Sequence, residues 1–218
     1  ADVWRRTAIL WLNYPNNPTA ATAPPELYER AAELARAYGF VVASDEAYSE
    51  LYFGPDPPAS ALQVADRTNV AVFNTLSKRS SMPGYRSGFV AGDAQLVAAL
   101  KRYRPNVGVA PPEFVQLAAV EAWGDEDHVA AVRDVYRAKR DVVLPALEAR
   151  GLRHAGGDAT FFLWLEGAPA GFQERLLEHG VILTPGSYFG AAGDGYLRLA
   201  LVPTLEECRR AAELLVGV

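Results

Sequence analysis

A chain of 218 residues that is 50% hydrophobic and 22% charged can bury a substantial core, which excludes a disordered or fibrous protein. The net charge is −5 and the isoelectric point about 5.3, with acids and bases interspersed, so nucleic acid and membrane are not expected partners. No apolar run approaches the ~20 residues that span a bilayer and no secretory leader is read, which together favour a cytoplasmic protein acting on small molecules or pairing with its own copy.

Residues 1–6, which lack an initiator methionine, lead at once into a strand-like run over residues 8–12, as expected of a sequence that starts inside a larger domain. Residues 13–19 read as the turn leaving that strand, because Pro15 and Pro18 cannot continue ladder pairing. A helix follows: Thr22 can cap it, Pro24 and Pro25 suit its first turn, Leu27, Ala31, Leu34, Ala35 and Tyr38 recur on one face, and Gly39 stops it. Residues 40–43 form a second apolar strand, and the order strand, helix, strand favours a parallel pair with a right-handed crossover. FGPDPP, residues 53–58, reads as an ordered loop or lid. A third strand spans residues 70–73. A fourth, over residues 89–91, follows without room for a crossover helix and is expected to run antiparallel.

Helical periodicity returns over residues 94–102, 112–123 and 127–150, the last being long and amphipathic enough to act as a domain hinge. A boundary is therefore expected near residue 140, dividing the chain into residues 1–140 and 141–218. In the second part, residues 160–165, 181–184 and 196–202 read as strands, and 172–178 and 205–216 as helices. The fold class expected is α/β, a mostly parallel sheet followed by a small α+β domain.

Cys208 falls on the apolar stripe of the last helix, which makes it a core residue; a single cysteine also excludes a disulfide framework. His128, His154 and His179 have no metal-ligand spacing and read as surface or structural. Lysine occurs three times, against 18 arginines. Lys101 and Lys139 sit among arginines on helical faces, as solvated charges do. Lys78 instead follows a strand in TLSK, where partial burial favours the neutral amine, the form that attacks a carbonyl; an ordinary loop lysine is the alternative.

Asp45 ends the strand VVASD, where an unpaired carboxylate is costly to desolvate. A protonated pyridine nitrogen, Arg86 or the cap of the next helix could each answer it. Arg86 lies beyond a turn containing Pro83 and Gly84; its fork suits a phosphate monoester, with the Thr75 and Ser77 hydroxyls as further donors, although a lone turn arginine is usually a surface residue. Arg198, in the apolar run GYLRLALV, needs an anion, either a substrate carboxylate or a protein one.

Taken together, YPNNPT (residues 14–19), SDEAY (44–48) and TLSKRSSMPGYRSG (75–88) resemble the fold type I, class I/II pyridoxal phosphate aminotransferases over nearly the whole chain. The resemblance implies a pyridoxal 5′-phosphate cofactor and a chain carrying part of the large domain with the small C-terminal one, the family's upstream portion being absent. It implies Lys78 as the Schiff-base lysine and Asp45 as partner of the pyridine nitrogen. Asn17 and Tyr48 would bond the phenolic oxygen, and Thr75, Ser77 and Arg86 the phosphate. Arg198, helped by Asn17, would bind the α-carboxylate of amino acid and 2-oxo acid substrates. The run SKRSSMPGYRSGF resembles enzymes acting on succinyldiaminopimelate and related substrates of lysine biosynthesis, and family habit implies a homodimer. Ala20 stands where the family usually has glycine, and GGDATFFLW replaces a shorter glycine-aromatic segment. A β-lyase of the same fold, or a non-catalytic ligand-sensing module of a regulator, are the competing readings.

Overall fold

The computed structural model describes residues 2–108 and 110–217. A short helix that the sequence did not announce, α1 (Asp2–Arg6), precedes β1 (Ile9–Asn13). The chain then turns through residues 14–24 into α2 (Pro25–Tyr38), which buries Tyr28, Ala31, Ala32 and Ala35. The expected Thr22 cap is not made. Pro24, extended and without a side-chain acceptor, is the capping residue, because the helix starts three residues after Thr22. Gly39 ends α2 in the left-handed region at φ 76°, its N–H donating to the Ala35 carbonyl, a conformation that carries no penalty for glycine.

β2 (Val41–Asp45) lies parallel to β1 with Asn13 opposite Asp45, and β3 (Val70–Thr75) lies parallel to β2 with Asp45 opposite Phe73. Residues 53–58 carry no regular structure, as expected. A four-residue helix, α3 (Leu76–Arg79), follows β3 directly; the Thr75 side chain caps it by accepting from the Ser77 amide. It is too short to show any apolar period. β4 (Gly88–Gly92) returns antiparallel beside β3 with Gly88 opposite Thr75, so the first sheet has the order β1-β2-β3-β4.

Three helices then lead away: α4 (Ala94–Tyr103), capped by Asp93, α5 (Glu113–Gly124) and α6 (Asp127–Glu148). The second sheet is built from β5 (Arg153–His154), β6 (Phe162–Glu166), β7 (Thr184–Pro185) and β8 (Leu197–Ala200) in the order β5-β6-β8-β7, all antiparallel. α7 (Phe172–Glu178) connects β6 to β7, and α8 (Leu205–Gly217) packs along α6. The strand expected over residues 181–184 is reduced to Thr184–Pro185, and residues 181–183 carry no regular structure.

One hydrophobic cluster joins α2 to the first sheet through Tyr28, Phe40, Val42, Val70 and Val72. The second gathers Leu147, Leu163, Leu165, Phe172, Leu176 and Leu215, and also takes Tyr48 and Leu51 from the segment after β2. That segment therefore leaves the first sheet to pack on the second. Cys208 lies buried in the same cluster, as its place on the apolar stripe predicted.

Lys139 departs from expectation: it is buried, 6% exposed, and its Nζ donates to the carbonyls of Leu201 (3.2 Å) and Val202 (3.5 Å) at the end of β8. A solvated reading fails because α6 turns that face toward the second sheet, where the last strand carbonyls need a donor. α5 is mostly apolar, interrupted by Glu113, Gln116 and Glu121, and leaves Phe114, Leu117 and Val120 exposed. Among the described residues no helix is long and apolar enough to cross a membrane.

Candidate active site

Parallel pairing brings the C-terminal ends of β1, β2 and β3 to one edge of the sheet, the place where α/β folds bind ligands. A cavity of about 510 Å³ opens there. Its polar wall is formed by Asp45 at the end of β2, Thr75 at the end of β3, Ser77 and Lys78 on α3, and Arg86 after the following turn; Trp11 and Phe73 supply an apolar side. Five of the residues expected at the site are thus brought together.

Each is held locally. The Asp45 carboxylate accepts from the Ala47 amide at 3.1 Å, and among the described residues it makes no ion pair, so neither Arg86 nor a full helix cap answers its charge. Thr75 Oγ1 lies 2.9 Å from Ser77 Oγ and 2.9 Å from the Ser87 carbonyl, which pins the start of α3 to β4. Arg86 is exposed, in the left-handed region at φ 53°, and its Nη1 donates to the Pro83 carbonyl at 2.9 Å. The Lys78 amine sits 5.6 Å from the Tyr48 ring centre and 5.2 Å from that of Phe161. Aromatic rings on that side limit the water that can solvate it.

Asn17, Tyr48 and Arg198 do not line this cavity. Arg198 instead borders a separate cavity of about 580 Å³ with Thr184 and Cys208. The two groups are linked through aromatic rings: Tyr48, 5.6 Å from the Lys78 amine, packs on Phe162 at 5.7 Å, and Phe162 lies against Arg198. Arg198 Nη1 donates to Asn17 Oδ1 at 2.9 Å, its Nη2 lies 3.5 Å from Thr184 Oγ1, and its guanidinium is sandwiched between the rings of Phe162 (4.5 Å) and Phe189 (4.7 Å). No carboxylate lies within ion-pair reach of it among the described residues, and its Nε is buried without a partner. Burial holds the Arg198 pKa below the usual guanidinium value. Tyr48 is buried against Phe161 and Phe162; burial first, and the Asp45 charge second, push its hydroxyl up, while Arg198 pulls it down.

The family differences have local causes. Ala20 stands fully buried at φ 59°, where glycine would carry no penalty. Gly157 of GGDATFFLW presses on the same turn: its N–H donates to the Thr19 carbonyl, and a Cβ there would come within 2.4 Å of the Ala20 carbonyl oxygen. Thr160 then takes a left-handed conformation at φ 62°, rare for a β-branched residue, held by its amide on the Leu51 carbonyl and its hydroxyl accepting from the Phe162 amide at 3.0 Å. The bend turns Phe161 toward Lys78 and Phe162 toward Arg198.

Four residues were not singled out from sequence: Trp11, Thr184, and the two aromatics around Arg198, Phe162 and Phe189. Trp11 carries a readable signal, a tryptophan two residues before the end of a strand whose carboxyl end lies at the ligand-binding edge, and the structure leaves it 61% exposed. Two histidines play structural parts, His128 bonding Ser80 Oγ (2.8 Å) and Asp125 (3.0 Å) and His154 reaching the Gly157 carbonyl (3.0 Å), while His179 is exposed at the surface. No metal-binding cluster occurs among the described residues.

The chain belongs to the family of class I and II aminotransferases, which it matches over residues 2–215. It is 41% identical over 220 residues to the LL-diaminopimelate aminotransferase of Aquifex aeolicus, covering 97% of this chain and 57% of that protein. Among solved structures it superposes on an aminotransferase from Neisseria meningitidis with a TM-score of 0.90 at 38% identity, covering 99% of this chain and 58% of the other. A probable N-succinyldiaminopimelate aminotransferase from Thermus thermophilus gives 0.85 at 34%, covering 99% and 60%. The chain thus spans a little under three-fifths of the Aquifex protein's length. The similarity confirms the PLP-transferase-like α/β fold class expected from the sequence.

Proposed function

We propose that this chain serves a pyridoxal 5′-phosphate-dependent aminotransferase that moves an amino group from an amino acid to a 2-oxo acid, with an amino acid of the diaminopimelate type as donor. The carrying observation is the donor set of one cavity: a primary amine, a carboxylate, a guanidinium and two hydroxyls, from Lys78, Asp45, Arg86, Thr75 and Ser77. That set fits the cofactor group by group, an amine for its aldehyde, an anion for its ring N–H, and a fork with two hydroxyls for its phosphate. The volume, about 510 Å³, suits a small-molecule site. The substrate class is supported by the name carried by the Aquifex relative.

When bound, the cofactor supplies an aldehyde that condenses with amines and a ring that takes up the electron pair left when a bond at the substrate Cα breaks. The Asp45 carboxylate would accept the ring N–H and keep that ring protonated. Arg86, Thr75 and Ser77 would grip the phosphate, and Asn17 and Tyr48, beside the cavity, would donate to the phenolic oxygen. Arg198 presents its fork to the α-carboxylate, its faces shielded from water by Phe162 and Phe189. With the carboxylate fixed, Lys78 Nζ would take the Cα hydrogen and carry the proton onward as base and then acid. A homodimer, a cytoplasmic location and a division near residue 140 belong to the same proposal. The two separate sheets and clusters support the division.

The test is to add pyridoxal 5′-phosphate, follow its visible absorption, reduce with borohydride and map the modified peptide. Attachment at Lys78 is expected, with oxo-acid-dependent amino transfer from LL-diaminopimelate that falls at least roughly 100-fold in Lys78→Ala. Pyruvate release instead of transfer would assign a lyase, attachment without turnover a sensing module, and attachment elsewhere would end the proposal.

A further inference from the structure

Beside the reactive lysine stands a charged residue that the mechanism above does not use. Arg79 follows Lys78 on α3, and its side chain is only 3% exposed. Its guanidinium takes Glu126 in a two-pronged grip, Nη2 to Oε1 at 2.5 Å and Nη1 to Oε2 at 3.2 Å. Nη1 also meets Glu50 Oε1 at 3.2 Å, Nη2 reaches the Asp125 carbonyl at 3.4 Å, and the cation lies 5.2 Å from the Trp123 ring centre.

These partners belong to different elements. Glu126 and Asp125 lead into α6, Trp123 closes α5, and Glu50 lies five residues after Asp45 and two after Tyr48. Glu50 is itself held from the α6 side by Arg133, through its carboxylate at 3.7 Å and its carbonyl at 3.3 Å. A four-residue helix cannot hold its own orientation, because its single turn leaves most of its backbone groups unpaired within the helix. An arginine fork fixes direction as well as distance, which a point charge does not.

We infer that Arg79 is a positioning residue: by tying α3 to Glu50 and Glu126 it holds the Lys78 amine against Tyr48 and Phe161 and in register with Asp45. The inference deepens the proposed function, since it gives a role to the residue next to the lysine assigned there. Its test needs no cofactor, so the two can fail separately.

With only three lysines in the chain, competitive acetylation by dilute acetic anhydride, read by peptide mass spectrometry, gives the Lys78 to Lys101 labelling ratio directly. Arg79→Met is expected to raise that ratio about threefold, the size of losing an amine's contact with aromatic faces. Glu126→Ala, at a side chain 71% exposed and without a capping bond to lose, is expected to move it the same way and still fold. A merely structural Arg79 would lower the melting temperature and leave the ratio of the folded protein unchanged. That result, or a rise shared equally by Lys101, overturns the inference, and Glu126→Ala decides it alone if Arg79→Met does not fold.

Discussion

Arg198 Nη1 donates to Asn17 Oδ1 across 2.9 Å, and this bond joins the turn leaving β1 in the first sheet to β8 in the second, residues 181 positions apart. The arginine has no carboxylate partner among the described residues, so the amide oxygen is the strongest acceptor it meets in the chain. Replacing Asn17 with Ala strands a partly buried guanidinium donor, and a loss of roughly 1–2 kcal/mol in urea unfolding is expected. Arg198→Lys keeps the charge but not the fork or the stacking between Phe162 and Phe189. Amino transfer by the cofactor-loaded protein should then fall roughly 10- to 100-fold, with KM for the amino acid rising.

Gly157 sets how closely the segment before β6 approaches that same turn. A methyl there meets backbone rather than a movable side chain, so Gly157→Ala should cost about 1–3 kcal/mol, read as a melting point several degrees lower. The double variant with Asn17→Ala should be less damaging than the sum, since displacing the segment already weakens the bond that Asn17→Ala removes.

Glu46, next to Asp45, is buried with Oε1 accepting from Ser44 Oγ (2.9 Å) and the Ala61 amide (2.8 Å). Burial raises its pKa, against the lowering effect of hydrogen bonds from Ser60, Ala61 and Ser44. A carboxyl raised on folding binds more protons in the folded state than in the unfolded one, so its contribution is full below about pH 4.3 and is lost as pH rises toward the folded value. Glu46→Gln lacks that dependence. The wild type should therefore lose stability relative to the variant between pH 4 and 7, measured as urea midpoints; a difference that is flat or grows in favour of the wild type would refute the protonation argument.

Lys139 donates to two carbonyls just past β8. Lys139→Met keeps the buried stem and removes the donor, and a loss of about 1–3 kcal/mol is expected in chemical unfolding. A surface lysine in the same helix position would cost a few tenths, so the experiment separates the two readings of this residue.

Much of this is legible in the sequence. The cavity residues Asp45, Thr75, Ser77 and Lys78 end or follow apolar runs readable as buried strands, and parallel pairing sends those strand ends to one edge, where the turn before β4 adds Arg86. The antiparallel β4 followed from the missing crossover length. What stayed hidden is of another kind. α3 and β5 are shorter than any period they could display. The burial of Lys139 and Arg79 depends on which face of a helix meets which neighbour, and pattern alone does not say which carbonyl or carboxylate waits there. Likewise, Arg198 was readable as a cation in need of an anion, but its aromatic sandwich comes from Phe189, on a different element.

The lone sulfhydryl, Cys208, lies on the buried face of α8, and burial raises its pKa, so it reacts slowly with thiol reagents. A cysteine introduced at an exposed position would therefore take a maleimide dye or spin label almost alone. With one spin label near Asn17 and another near Thr184, both of which contact Arg198, dipolar broadening could follow the separation of the two sheets as substrates come and go.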